Sequence, residues 1–197
     1  LFSELGKIAV LRFSTSGSQK VPNENWLTSE EQGAACYLQL SLGKFACPGG
    51  DPALRSETKP VWLMEPTGRA CGRLEDTRQA KRLIADDGIE MQSAHLSCFE
   101  YGDRNAGIDL LQIALQIAAD RNFPHLFVAV SVQEVDFFIQ SFKETEPVVA
   151  TATVFGTGLS SGPNWNINTA EVYAVSQPNR APRVPARPRC TLHPIHC

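Results

Sequence analysis

The sequence predicts an α/β protein, a three-layer sandwich with a central mixed, largely parallel sheet flanked by helices. Three observations predict it. Short apolar runs alternate with stretches of helical period along most of the chain, the pattern of strands and helices packed in layers. Leu126 to Val130 is continuously apolar behind Pro124, as a strand covered on both faces requires. Ile108 to Arg121 confines Asp109, Gln112, Gln116 and Asp120 to one narrow stripe, so that helix must be covered on most sides.

Lys7 to Phe13 is a short apolar run that suits a buried strand. Thr28-Ser29-Glu30-Glu31 reads as a capping box, opening a helix that buries Ala34, Ala35, Leu38 and Leu42. Residues 43–60 form a long loop punctuated by Pro48-Gly49-Gly50-Asp51-Pro52. Val61 to Glu65 is a second strand, stopped by Pro66-Thr67-Gly68. Asp76 and Gln79 then cap a basic helix through Ile84, with Gly88 as its stop. Alternation at 93–101 predicts a strand, and Gly102 to Gly107 a polar loop before the helix from Ile108. Gln133 to Phe142 repeats the helical period through Val135, Phe138, Ile139 and Phe142. Two strands, Val148 to Phe155 and Trp165 to Val175, close the body.

A chain of 197 residues can bury a core without disulfide or metal staples. Its 43% hydrophobic and 20% charged content excludes wholesale disorder and collagen-like or coiled-coil structure. Residues 1–176 read as one α/β domain. Residues 177–197 hold five prolines and four arginines with no acidic residue, the composition of an extended, disordered tail. Taking those four arginines from the 18 Lys and Arg leaves 14 against 21 acidic residues, so the body carries a net charge of -7.

The whole-chain charge of -3 and a pI near 5.8 argue against a nucleic-acid partner. No apolar run approaches the roughly 18 residues of a membrane span, and no signal-peptide pattern opens the chain. The six cysteines include no C-x-x-C pair, and Cys98 sits in an apolar run where a thiol packs as a small hydrophobe. That usage predicts a reducing, cytoplasmic compartment. Oligomeric state is not encoded in any pattern of the chain.

Ligands of layered α/β sheets bind beyond the carboxyl ends of the strands, where the loop Gly102 to Gly107 falls. Backbone amides there, backed by a helix dipole and by Arg104, suit a phosphate. The same loop also reads as a plain connection capped by Asp103 or Asn105. Alternation places Glu100 on the face of Cys98 and Leu96, partly buried, as a general base requires. His95 and His125 read as surface or packed histidines. His95 and Cys98, three apart on a strand, point to opposite faces and do not pair. Gly158-Leu159-Ser160-Ser161-Gly162 matches G-x-S-x-G, but Pro163 and a strand-like stretch follow where a hydrolase needs a helix. Cys190, His193, His196 and Cys197 match no standard zinc spacing.

From 93 to 155 the order strand, polar glycine loop, long apolar helix, buried strand, amphipathic helix, strand resembles the acyl-CoA-binding core of the Gcn5-related N-acetyltransferases. Arg104-Asn105-Ala106-Gly107-Ile108-Asp109 keeps the first and fourth positions of that family's R/Q-x-x-G-x-G/A signature, with Asp109 in place of the small residue. Asp136 to Phe142 is similar to its F-Y-x-x-x-G-F element, with Phe where the family has tyrosine. The strands at 147–156 and 165–175 match its terminal pair in outline, and the helix at 74–86 departs from it. The resemblance implies acetyl transfer from acetyl-CoA to a small-molecule or peptide amine. It implies that Gly102, Asp103, Arg104, Asn105, Ala106 and Gly107 hold the pyrophosphate through their amides. It further implies that Glu100 takes the amine proton and that a backbone amide near Tyr101 polarises the thioester carbonyl. The rival is a non-catalytic α/β module that binds a nucleotide or phosphate. Strands 93–101 and 125–131 that splay apart favour the transferase, and regular pairing favours the module. The transferase also requires that the amides at the helix mouth not be taken by the chain's own carboxylates.

Overall fold

The computed structural model describes residues 3–16, 25–41, 45–47, 59–76, 83–84, 87–142, 145, 147–156 and 165–167. Seven strands form the main sheet: β1 (Ser3–Ser14), β2 (Leu27–Thr28), β4 (Val61–Met64), β5 (Ala70–Glu75), β8 (Ser93–Tyr101), β9 (His125–Ser131) and β10 (Val148–Gly156). Their order is β10-β1-β9-β8-β5-β4-β2. Two small pairs stand apart, parallel β3 (Phe45–Cys47) with β11 (Trp165–Ile167) and antiparallel β6 (Leu83–Ile84) with β7 (Glu90–Met91). The helices are α1 (Glu30–Leu40), α2 (Arg104–Asp120) and α3 (Val135–Ser141), the last preceded by a 3-10 turn at Val132–Glu134.

Only β8 and β9 pair in parallel within the main sheet; all its other neighbours are antiparallel. The expected mixed sheet flanked by helices stands, while its largely parallel character is corrected: the sheet is open and mostly antiparallel. The reason lies in the connections. Only β8-α2-β9 carries one strand to its parallel neighbour. β10 also follows a helix, but β1 inserts between β9 and β10, antiparallel to both. β4 and β5 join through a tight turn in which the Gly68 amide donates to the Glu65 carbonyl (2.7 Å) with Gly68 at φ +73°.

The main core gathers Ala9, Leu11 and Phe13 of β1 with Leu126, Val128 and Val130 of β9 against α2 and Phe138 of α3. On α2 the expected stripe holds: Asp109, Gln112 and Asp120 are exposed, and the buried Gln116 donates to Asp120 (2.9 Å). The opposite face of the sheet meets α1, where Cys36 and Tyr37 pack on Trp62, Cys71 and Cys98.

Three elements differ from the sequence reading. The cap of α1 is Ser29, whose hydroxyl accepts from the Gln32 amide, while Thr28 donates to the Gln32 side chain (2.8 Å). The face buried is Gly33, Cys36 and Tyr37, with Leu38 63% exposed, because the helix lies directly on Trp62 and only a glycine fits there. β5 occupies 70–75, ahead of the expected basic helix. Of that helix, 77–82 lie outside the described residues and Leu83–Ile84 is strand. Gly88, at φ +81°, falls between β6 and β7. Within the expected 43–60 loop, Phe45–Cys47 is strand, and the 48–58 portion lies outside the described residues. Also outside them are the 177–197 tail, its Cys and His residues, and Gly158 to Gly162. Among the described residues no helix is long and apolar enough to cross a membrane.

Candidate functional site

The pairing of β8 with β9 runs from Ser93 opposite His125 to Leu96 opposite Val128 and ends there, although β8 continues to Tyr101. Two residues beyond the last pair, Cys98 adopts φ +50°, an uncommon backbone for a non-glycine residue. On the other side of β8 the register passes from Ser97 opposite Arg73 to Glu100 opposite Cys71. Cys98 and Phe99 therefore stand against Gly72 alone, a β-bulge. The strands part at the bulge, the splay that the transferase reading asks for.

The bulge also reassigns faces. Leu96 and Phe99 pack into the core under α2, whereas Cys98 packs on the α1 side. The expectation that Glu100 shares the face of Leu96 is corrected: the extra residue inverts the alternation, and Glu100 shares the α1 side with Cys98. His95 lies on that side too, stacked on Phe127 at 5.1 Å, so the bulge brings it to the same face as Cys98. Glu100 is 5% exposed. Tyr37 of α1 is held well above the ordinary tyrosine range, by burial first and then by Cys98 and Glu100. Burial likewise pushes Cys71 far up, with Cys36, Cys98 and Glu100 adding to it. Cys36, Cys71 and Cys98 all stand as buried thiols.

The loop expected at 102–107 is mostly helix. α2 begins at Arg104 because the Asp103 carboxylate caps it, accepting from the amides of Asn105 (2.8 Å) and Ala106 (3.0 Å). Those bonds, the Ala106 amide first, hold the Asp103 carboxyl below its ordinary range. The Gly102 amide donates to the Arg69 carbonyl (2.9 Å), and the Gly107 amide donates to the Asp103 carbonyl (3.0 Å). Four of the amides assigned to a pyrophosphate are thus engaged within the chain, two of them by a carboxylate. Arg104 grips Glu134 through two hydrogen bonds (2.9 and 2.8 Å) and lies over the Phe137 ring. Burial, followed by the charge of Glu134, keeps the Tyr101 hydroxyl well above its usual range. The Arg104–Glu134 bridge spans the segments that follow the two parted strands.

Tyr101 packs between Phe99 and Phe138, with ring centroids at 5.2 and 5.7 Å. The sequence reading missed β5, whose Arg73 and Glu75 are buried beside Ser97. Their i, i+2 spacing on a strand was the signal available. Among the described residues no group of three or more His, Cys, Asp or Glu is placed to hold a metal ion.

A crystal structure of an acetyltransferase assigned to the GNAT family, from Novosphingobium aromaticivorans, superposes with a TM-score of 0.50. The match covers 80% of this chain and 68% of that one at 12% identity. This chain has the Gcn5-related N-acetyltransferase fold. Two further structures titled as Gcn5-related N-acetyltransferases align over shorter shares of their own length. One, from Anabaena variabilis, gives a TM-score of 0.47 at 10% identity over 77% of this chain and 40% of that one. The other, from Sphaerobacter thermophilus, gives 0.44 at 12% identity over 78% and 51%. No protein-family model matches the chain, and no curated protein does. At 12% identity to the Novosphingobium aromaticivorans structure the fold is what is shared, and the chemistry has to be read from the residues.

Proposed function

We propose that this chain is an acyl-CoA-dependent N-acyltransferase that passes an acetyl group to an amine, a reading that requires Asp103 to release the amides of Asn105 and Ala106 when the donor binds. The observation that carries the reading is the parting of β8 from β9 directly after Leu96 and Val128, beside the bulge at Cys98. In this fold that gap leaves the edge of β8 outside the β9 ladder, next to a buried carboxylate. Glu100 is the proton acceptor for the attacking amine. Its side chain is buried on the α1 side of the sheet, near Tyr37 and Cys71 rather than in bulk water. The backbone near Tyr101 is the candidate for polarising an acyl carbonyl.

The diphosphate end of an acyl-CoA does not fit the loop as it stands. Its amides are taken by Asp103 and Arg69, and Arg104 is committed to Glu134. The same bonds count against the second reading, a non-catalytic α/β module that binds a nucleotide or phosphate through this loop. Thermal-shift titration with acetyl-CoA, ATP and NAD separates the two. The transferase reading expects a shift with acetyl-CoA only, larger in Asp103→Ser, which keeps a neutral cap but removes the competing charge. It also expects labelled acetyl transfer to an amine that Glu100→Gln abolishes. No acetyl-CoA response in either protein leaves the binding module standing.

A further inference from the structure

The sheet face beneath α1 holds polar groups that proton transfer at Glu100 does not employ. Arg73 of β5 and Trp62 of β4 are register partners, and the guanidinium carbon lies 5.6 Å from the indole ring centroid. The Arg73 side chain is 9% exposed and Trp62 is 5% exposed. The guanidinium is committed at Nε, which donates to Glu75 Oε1 at 2.5 Å, and that oxygen also accepts from Ser97 Oγ at 2.6 Å. Arg73 Nη2 and Trp62 Nε1 are both buried without a hydrogen-bond partner.

A buried donor left unmet is costly, more so when it is charged, so a pair on two register partners calls for an explanation. An oxygen-bearing ligand supplies one. A guanidinium edge matches a carboxylate in geometry and charge better than it matches a neutral carbonyl, and one arginine can hold carboxylates on two edges. Cys71, the register partner of Glu100, lies two residues before Arg73 on the same strand and the same face. That places the two positions roughly 7 Å apart along the sheet.

We propose that Arg73 Nη2 and Trp62 Nε1 bind the carboxylate of the acceptor, a small amino acid whose amine reaches Glu100. The assignment of the amine end rests on the transferase reading above; the carboxylate end rests on the two unmet donors.

The test is calorimetric titration of the full chain, without an acyl donor, with glycine and β-alanine and with the corresponding amino amides. The acids bind saturably and the amides about tenfold more weakly or not at all. Arg73→Lys keeps a cation opposite Glu75, and Trp62→Phe keeps a ring beneath α1; each weakens the acids by about tenfold. Should Arg73→Lys fail to fold, Trp62→Phe carries the test. The proposal is overturned if no acid binds, if acid and amide bind alike, or if the folded variants keep full affinity. Failure of the transferase reading looks different: the acids still bind, but no acetyl group reaches any amine. Acetyl transfer to amines with no preference for a carboxylate sinks this inference and leaves the transferase intact.

Discussion

The ring of Tyr101 fills the space that a side chain on Gly107 would need, for a Cβ there would fall 2.9 Å from Tyr101 Cγ. The glycine at the fourth signature position is therefore required by the packing of α2 onto the end of β8, whatever binds nearby. Gly107→Ala is expected to lower stability by about 1–3 kcal/mol, as overpacking of a filled site does. Urea denaturation in the presence and absence of acetyl-CoA checks this. A variant of unchanged stability would remove the packing account.

Gly33 and Trp62 stand in the same relation on the opposite face, with a built Cβ 2.5 Å from Trp62 Cδ2. Alanine gains about 1 kcal/mol of helix propensity over glycine, but two indole carbons and Trp62 Cβ lie within 2.7 Å and the buried ring has little room to retreat. Gly33→Ala is expected to be destabilising on balance and to shift the emission of the Trp62 indole. A more stable protein with unaltered fluorescence would show that α1 slides freely over β4.

Acid should loosen the start of α2. The Asp103 carboxyl sits below its ordinary 3.8 through the Ala106 amide first and then the Asn105 amide and Arg69, against opposition from desolvation. A lowered carboxyl contributes stability above its unfolded value and loses it as pH falls through the folded one. Amide exchange at Asn105 and Ala106, corrected for intrinsic rates, should therefore accelerate below about pH 4. Asp103→Ser should abolish that pH dependence while retaining a cap.

His125 works in a neighbouring window. Burial, and then the charge of Arg12, hold it below its ordinary 6.5. The unfolded chain binds that proton first, so stability contributed by neutral His125 is present above 6.5 and declines as pH falls below it. His125→Phe should flatten the denaturation midpoint between pH 7 and about pH 5. An unchanged slope would assign that titration to another group.

Periodicity made β8, α2, β9 and β10 legible, because each repeats an apolar spacing long enough to read. The start of α2 was obscured by punctuation: Gly102 and Gly107 look like loop bounds, yet Asp103 caps the helix between them. β5 offered only the i, i+2 spacing of Arg73 and Glu75, which pair through Nε inside it, so no apolar alternation survives. The bulge leaves no mark at all, since the residue in the left-handed region is Cys98 and not glycine. That one unmarked residue decides which face Glu100 occupies. Strand sense was likewise beyond reach, as a buried run has the same composition beside a parallel or an antiparallel neighbour.

The placement of β1 has a consequence for how the protein is made. This strand leads the described chain but is flanked on both sides by partners, β9 and β10, that are synthesised more than a hundred residues later. An emerging polypeptide must therefore carry an apolar, hydrogen-bond-hungry ribbon while more than a hundred further residues are made before these partners can clasp it. Such a protein closes by capturing its own beginning, and its yield in a cell depends on what shields that ribbon in the interval.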